Sequence, residues 1–423
     1  LLAECLAFFA PDVDVLVFPA WDCLPYDRVS PHADIVAQRV AALSVMLEWA
    51  ADGLFKPRIV LTSVNAVMQR VMPPDSLVAA QLVARKGGTL SLTDLQCFLA
   101  NNGYLRTDTV REAGEFAIRG DIVDIFPPMY DMPVRMDLFD DDIESIRSFD
   151  PSSQMTTGIL DRFELRPVTE FFLDDAAVAR FRSGYRDAFG VTSSSNPLYQ
   201  AVSEGRRHAG MEHWLPLFHE KMATLFDYLP NPVVMMDGQA DASRQERLTQ
   251  TLDFYKARIT LDESLKARSR KKGNDVSLTG VAYHPLPPER LYVLDDEFTS
   301  YVDTTDPVVL QSFRDPMVSD EDSPSPNPLP QGKRADVMVA RKARDFADIR
   351  ANPQGNVFAE LGTYIRSLQA DHKKVLIACY SQGSRDRLKV MMEEGGAGLP
   401  YPVDSWHQVT RLKAGQVGAD RKS

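Results

Sequence analysis

Residues 114–128, GEFAIRGDIVDIFPP, constrain the fold more than any other stretch of this chain. Apolar residues dominate from Phe116 to Phe126, which predicts a strand, and Arg119 interrupts them beside Gly120. A glycine within a strand pattern predicts a bulge or a close backbone approach. An arginine is poorly accommodated in a core, so the pattern predicts a half-exposed strand with Arg119 aimed at solvent. Two further strands are predicted at residues 134–139 and 143–149, joined by Asp140, Asp141 and Asp142. Such a short link predicts an antiparallel, curled sheet. A helix over residues 91–102, opened by Ser91 or Thr93 and stopped by Gly103, precedes these strands.

The 423 residues are enough for about three domains with proper cores. Residues 1–77 alternate strands (13–18, 58–62) with helices (35–49, 64–71), which predicts a parallel sheet that ends at Pro73 and Pro74. A smaller α+β domain is predicted over residues 78–167. Residues 168–305 are helix-rich, with helices at 176–189 and 242–260 flanking a short strand at 232–236. Residues 306–334 are predicted to be a flexible linker, because DPMVSDEDSPSPNPLPQG (315–332) is too polar to pack. A small α/β domain then fills 335–423, with helix 357–370, strand 375–380 and helix 385–394. The fold class predicted is therefore multidomain α/β. The opening LLAECLAFF without Met and the polar KAGQVGADRKS at the end predict a fragment of a longer protein.

The net charge of −12 argues against a chain-wide grip on DNA and favours protein partners. Cys5, Cys23, Cys97 and Cys379 form no CxxC pair, which fits a reducing cytoplasm. No run reaches the ~18 apolar residues of a membrane span, and no signal peptide is evident. GxxxxGK[ST] is missing, as is an Asp-Glu helicase box, so no catalytic residues, no cofactor and no ATP hydrolysis are predicted for this segment. YSQGSRDRL after the strand at 375–380 has only Gly383 to cradle a phosphate, too little for a nucleotide site. His208, His213 and His219 lie at spacings that match no common zinc pattern and are read as packing around Trp214. Asp137, Asp140, Asp141, Asp142 and Glu144 lack the spacing of a calcium loop and are read as a solvated turn. The basic run at 266–272, KARSRKK, has no interleaved aromatics and is read as a solvated loop. No GxSxG elbow or Cys/His pair points to nucleophilic catalysis.

REAGEFAIRGDIVDIFPP (111–128) followed by VRMDLFDDDIESIRSFDPSSQMT (134–156) resembles the UvrA-contacting domain of the excision-repair helicase UvrB, and more closely the transcription-repair coupling factors. Three more blocks resemble the coupling factors: FPAWDCLPYDRVSPHADIVAQRVAAL (18–43), VLTSVNAVMQRVMPP (60–74) and AGMEHWLPLF (209–218). The resemblance implies a degenerate, helicase-like parallel α/β domain in two pieces, 1–77 and 168–305, completing one sheet around an inserted UvrA-binding-type domain. It implies an adaptor that recruits UvrA to stalled RNA polymerase in transcription-coupled excision repair, in the bacterial cytoplasm. RNA polymerase and double-stranded DNA would be engaged by a motor outside this segment that uses ATP and Mg, and in the whole protein a C-terminal domain would cover the UvrA-binding surface. Carried onto this sequence, the resemblance makes Arg119 and Arg106 the anchors, Phe126 an apolar contact and Arg111, in the turn before Gly114, a further contact. Arginine suits that work because its planar fork pairs with carboxylates. Sequestration of Arg119 inside its own domain by an internal carboxylate would overturn this reading. Where UvrB carries a long DNA-clamping hairpin, WDCLPYDRVSP leaves only a short connection with Trp21 and Tyr26 flanking Pro25. The alternative reading is a fragment of a UvrB-type helicase that binds DNA and ATP.

Overall fold

The structure, a computed structural model, describes residues 2–53, 56–190, 196–271, 283–305, 307–310, 344–352, 355–379, 381–413 and 416–420. Backbone packing divides the chain into two units. One comprises residues 17–54 and 62–310, the other residues 1–16, 55–61 and 311–423.

The chain opens with α1 (Leu2–Phe9), β1 (Asp14–Phe18), α2 (Ala33–Ala51) and β2 (Arg58–Thr62), and β1 and β2 form a two-stranded sheet. α2 starts at His32, whose ring accepts the Asp34 amide hydrogen, and turns Val36, Val40, Leu43 and Met46 inward at helical spacing. Arg39 shares that inward face and is fully buried. Its Nε donates to Glu170 at 2.7 Å and its Nη1 to the Pro19 carbonyl at 2.7 Å, while Glu170 also accepts the Trp21 indole N–H at 2.9 Å. This buried ion pair pins the short 21–31 connection to the chain returning after the insertion. The helix predicted over 64–71 shrinks to α3 (Val64–Val67), because Gln69 and Val71 leave it to bridge Tyr292 and Ala223. Pro73 does not end the segment as predicted: Pro74 begins α4 (Pro74–Ala79), where its missing N–H costs nothing.

The insertion is entered and left through an antiparallel pair, β3 (Leu82–Arg85) with a strand 80 residues on. Between them lie α5 (Leu92–Asn101), capped by Ser91 as predicted, and β4 (Leu105–Arg106), β5 (Glu115–Arg119), β6 (Ile122–Ile125), β7 (Val134–Phe139), β8 (Asp142–Phe149) and β9 (Thr156–Leu160); β10 (Arg162–Leu165) is the exit strand. β4 to β9 form one six-stranded sheet in chain order, antiparallel except for the β4–β5 pair. The single strand predicted from Phe116 to Phe126 is in fact a hairpin. Gly120, at φ +62°, opens a two-residue turn that pairs Arg119 with Ile122. One sheet face carries Phe116, Val123, Ile125, Val134, Met136 and Ile146 against Leu95 and Leu99 of α5.

After the insertion come α6 (Asp175–Phe189), α7 (Pro197–Ser203), 3-10 turns at Met211–Leu217 and Leu225–Tyr228, β11 (Met235–Asp237), α8 (Ala240–Lys271), α9 (Pro288–Leu291), α10 (Asp295–Thr304) and β12 (Val308–Leu310). An aromatic cluster including Trp21, Tyr26, Phe171, Phe181, Tyr185, Trp214 and Phe218 holds them together. Two expectations are not met here. Among the described residues β11 pairs in parallel with β12, across the crossover helices α8 to α10, and neither pairs with β1 or β2. β12 also falls inside the predicted linker, which cannot begin at residue 306; the polar stretch 315–332 lies outside the described residues.

The other unit contains α11 (Ala347–Arg350), α12 (Val357–Ala370), β13 (Val375–Ile377), α13 (Gln382–Glu394), β14 (Tyr401–Val403), α14 (Trp406–Thr410) and β15 (Val417–Asp420). β13, β14 and β15 form one parallel sheet in the order β13-β15-β14. Phe8 of α1 packs on Val403 and Val409, and Phe9 meets Trp406, so α1 joins this core. Among the described residues, no helix is long and apolar enough to cross a membrane.

Candidate partner-binding face of the six-stranded sheet

Successive residues of a strand face opposite sides, so the registers define the sheet's second face. One row across it is Ala117, Asp124, Arg135, Arg147 and Ile159; the next is Arg119, Ile122, Asp137 and Ser145. Loops cover one half of this face, where Val110, Ala117, Phe149 and Phe126 make a small apolar core. The other half is open. Arg119 is 47% exposed, Arg147 is 35% exposed, and Ile122 and Ile159 present apolar surface.

Asp124 organises the charges. Its carboxylate is fully buried and accepts two hydrogen bonds from Arg135, from Nε at 2.6 Å and from Nη2 at 2.8 Å, and a third from Nη2 of Arg119. This bidentate pairing is the strong geometry for a guanidinium and a carboxylate. It raises the pKa of Arg135, whose guanidinium also lies 4.6 Å over the Phe149 ring. Arg147 pairs with Asp137, which also accepts the Ser145 hydroxyl. Three arginines thus share two aspartates, and the open half carries one surplus positive charge.

Arg119 accordingly does not face solvent alone: a carboxylate of its own domain holds one of its nitrogens. Its Nε and Nη1 donate to no atom among the described residues, and half of the side chain remains in solvent. The arginine is held without being enclosed.

The other sequence-predicted residues are dispersed. Arg106 is exposed on the two-residue edge strand β4, in register with Phe116 and hence on the side opposite Arg119. Phe126 shares the face of Arg119 but is packed into its covered half. Arg111 is exposed, and its backbone amide is tied to Glu115 at 2.7 Å. Asp124, Arg135 and Arg147 went unrecognised in the sequence. The signal was available in VRMDLF, where Arg135 and Asp137 alternate with apolar residues and mark a polar strand face.

The expected histidine and acidic clusters take structural positions. His213 is buried edge-on to Trp21, His219 Nε2 donates to the Glu170 carbonyl, 2.8 Å away, and Asp142 accepts the Thr89 hydroxyl. Among the described residues no group of His, Cys, Asp and Glu has the arrangement of a metal site. Ser381 caps α13 after β13, and the side chains of residues 266–272 lie outside the description.

Residues 82–171, from the entry strand to just past the exit strand, match the family model described as the UvrB interaction domain. Curated relatives extend the likeness beyond it. The chain is 39% identical over 238 residues to the transcription-repair-coupling factor of Haemophilus influenzae, covering 56% of this chain and 20% of that protein. It is 37% identical over 292 residues to that of Escherichia coli K12, covering 68% and 23%, and 28% identical over 386 residues to that of Rickettsia bellii, covering 91% and 31%. The chain thus spans less than a third of the length of these relatives. It carries a UvrB interaction domain and is homologous, over part of their length, to the transcription-repair-coupling factors.

Proposed function

We propose that this chain is the adaptor portion of a transcription-repair coupling factor, which recruits UvrA to stalled RNA polymerase in the bacterial cytoplasm. The observation that carries this reading is the open half of the sheet face. A surplus guanidinium, Arg119, sits there on β5 beside exposed Ile122 of β6, with the paired Arg147 three strands away on β8, inside residues 82–171. A carboxylate on UvrA would take the two sides of the guanidinium that face solvent, while Asp124 and Arg135 keep its stem in place. Arg111 would flank the contact near the β4 edge and Phe126 would support it from beneath, whereas Arg106, on the opposite side of that edge strand, would be reached only by a partner that wraps around the edge. The segment would hydrolyse no ATP, since its sequence has no loop to cradle a triphosphate, and contacts with RNA polymerase and duplex DNA, with the ATP and Mg of the motor, would belong to other parts of the whole protein.

The test is titration of the chain with purified UvrA in the absence of nucleotide. Arg119→Ala should weaken binding by at least ~2 kcal/mol, about thirtyfold, as expected for an interface anchor. A folded Arg119→Ala protein that binds UvrA as tightly as the parent would end this assignment. ATP turnover by the segment would favour the UvrB-type helicase instead, and steeply salt-dependent DNA binding a plain nucleic-acid-binding module.

A further inference from the structure

The two margins of the six-stranded sheet differ. β4, at one margin, is two residues long and is followed by Asp108, Arg111 and Glu112, the short and charged form in which edge strands avoid pairing with other chains. β9, at the other margin, has five residues and pairs only with β8, so among the described residues its outer side has no strand beside it. Every second residue of such a strand turns its N–H and C=O outward, away from its neighbour. Residues 151–160, PSSQMTTGIL, carry no charge that would deter a second strand. Its register with β8 shifts once, at the Thr156 end, and Gly158, Ile159 and Leu160 are regular. Leu160, opposite Ile146, packs on the core side, whereas Ile159, opposite Arg147, lies on the open face and is 77% exposed; Met155, just before the strand, is 70% exposed.

This edge is fixed at both ends. The Asp150 carboxylate accepts the backbone N–H groups of Ser152 at 3.1 Å and Ser153 at 2.7 Å, and the Asp150 amide donates to the Met155 carbonyl at 2.9 Å. Gln154, at φ +61°, donates through Nε2 to the Pro151 carbonyl at 2.8 Å and the Val110 carbonyl at 3.2 Å. Its Oε1 accepts from Nη2 of Arg135 at 3.3 Å, and the same guanidinium holds Asp124, the carboxylate that pairs with Arg119. One polar network therefore runs from Arg119 to the turn that launches β9. At the other end only Asp161 separates β9 from β10, which is anchored on β3. A strand whose backbone is already fixed loses little freedom when another is laid against it.

An added strand would gain main-chain hydrogen bonds from this edge and set its alternate side chains beside Ile159. Area and charge argue against a second copy of the chain in that place. Five residues pairing with five cover far less than the ~800 Å² that each partner contributes to a stable interface, and each copy brings a net charge of −12. A partner already seated on the open face needs no such area from the edge alone. β9 lies four strands from β5, about 19 Å at ~4.8 Å per strand, and the Arg135–Gln154 contact links the two across the face.

We infer that UvrA, when it engages Arg119, adds an extended and uncharged segment to the β9 edge, with an apolar side chain against Ile159. The inference rests on the proposed recruitment of UvrA. Residue-resolved amide hydrogen exchange of the parent chain, alone and saturated with purified UvrA, reads the edge directly: every second amide of β9 should slow at least about tenfold in the complex. Ile159→Lys, which puts a charge on the edge at an exposed position, should weaken binding about fivefold with an unchanged thermal transition, and Ile159→Val should bind within about twofold of the parent. If the parent binds UvrA and the β9 amides exchange as in the free chain, the edge is not an acceptor and the sheet face stands alone. If the parent chain without UvrA sediments as a dimer that Ile159→Lys dissociates, the edge belongs to a second copy and the inference is overturned. If the parent fails to bind UvrA at all, this inference and the recruitment of UvrA fall together.

Discussion

Replacing Asp124 with Asn separates the structural part of the arginine cluster from its binding part. The substitution keeps the shape of the side chain but removes the negative charge from a fully buried position that accepts three guanidinium hydrogen bonds. Breaking a buried pair by removing one charge costs ~3–5 kcal/mol, because the remaining charge is left without a partner. Arg135 is 18% exposed and can recover some water, so the lower end, ~3 kcal/mol, is expected. Arg119 is nearly half exposed, and its share belongs to the class of surface pairs worth ~0–1 kcal/mol. None of Trp21, Trp49, Trp214 and Trp406 lies within residues 82–171, so tryptophan fluorescence does not report this domain. Amide hydrogen exchange of β5, β6 and β7 does, since protected amides there exchange through opening of the sheet. With opening and closing fast relative to exchange, Asp124→Asn should accelerate these amides on the order of a hundredfold, ~1.4 kcal/mol per factor of ten, and Arg119→Ala by less than about fivefold. Equal protection in Asp124→Asn and the parent would refute the assignment of Asp124 as the organising charge. Acceleration by Arg119→Ala to the level of Asp124→Asn would show that Arg119 is a structural residue.

Two further predictions concern the remainder of the larger unit. Burial pulls the pKa of His213 down to about 4 from an ordinary 6.5, so the unfolded chain binds its proton first as pH falls. Stability should therefore be complete above pH ~6.5 and decline by roughly 3 kcal/mol towards pH 4, at ~1.4 kcal/mol per unit. Urea denaturation followed by Trp21, which His213 meets edge-on, should show this slope, and His213→Phe should remove it; an identical slope in the variant would exclude His213 as its source. Glu170→Gln strands the fully buried Arg39 and should cost ~3–5 kcal/mol, whereas the double change Arg39→Met/Glu170→Leu should recover much of it. Equal midpoints for the parent and Glu170→Gln in the same assay would refute that account.

Where a segment's pattern is complete within itself, sequence and structure agree closely. β2, β7 and α12 fall on the residues predicted, because alternation or helical spacing is bounded by local stop signals. Pairing between distant segments leaves no such mark. β3 and β10 are 80 residues apart and each is four residues long, so neither is recognisable until the other lies beside it. Gly120 is a different failure, since a glycine after Arg119 suits a bulge and a hairpin turn equally well. The choice matters for the site: only the hairpin folds Asp124 back to within reach of Arg119, five residues earlier, and so creates the internal pair. Arg106 shows the same limit from the other side, because the parity of β4 against β5 puts it on the face away from Arg119.

Holding Arg119 by one nitrogen bears directly on how it could serve a partner. A free arginine gives up ~2 kcal/mol of rotamer freedom when a contact fixes it, and that loss subtracts from the interaction gained. In this sheet the hairpin fixes the backbone and Asp124 fixes one edge of the guanidinium, so part of that loss is incurred on folding. Asp124 can hold Arg119 without neutralising the face, since Arg135 already balances its charge through two hydrogen bonds of its own. An incoming carboxylate would then have to replace only the water on Nε and Nη1 and break no internal pair. A chain of net charge −12 gives an acidic partner no long-range attraction, and beyond about 8–10 Å the field is screened at physiological salt. Recognition on this face must therefore come from contact geometry, the condition under which a pre-positioned planar fork gains most over a mobile cation.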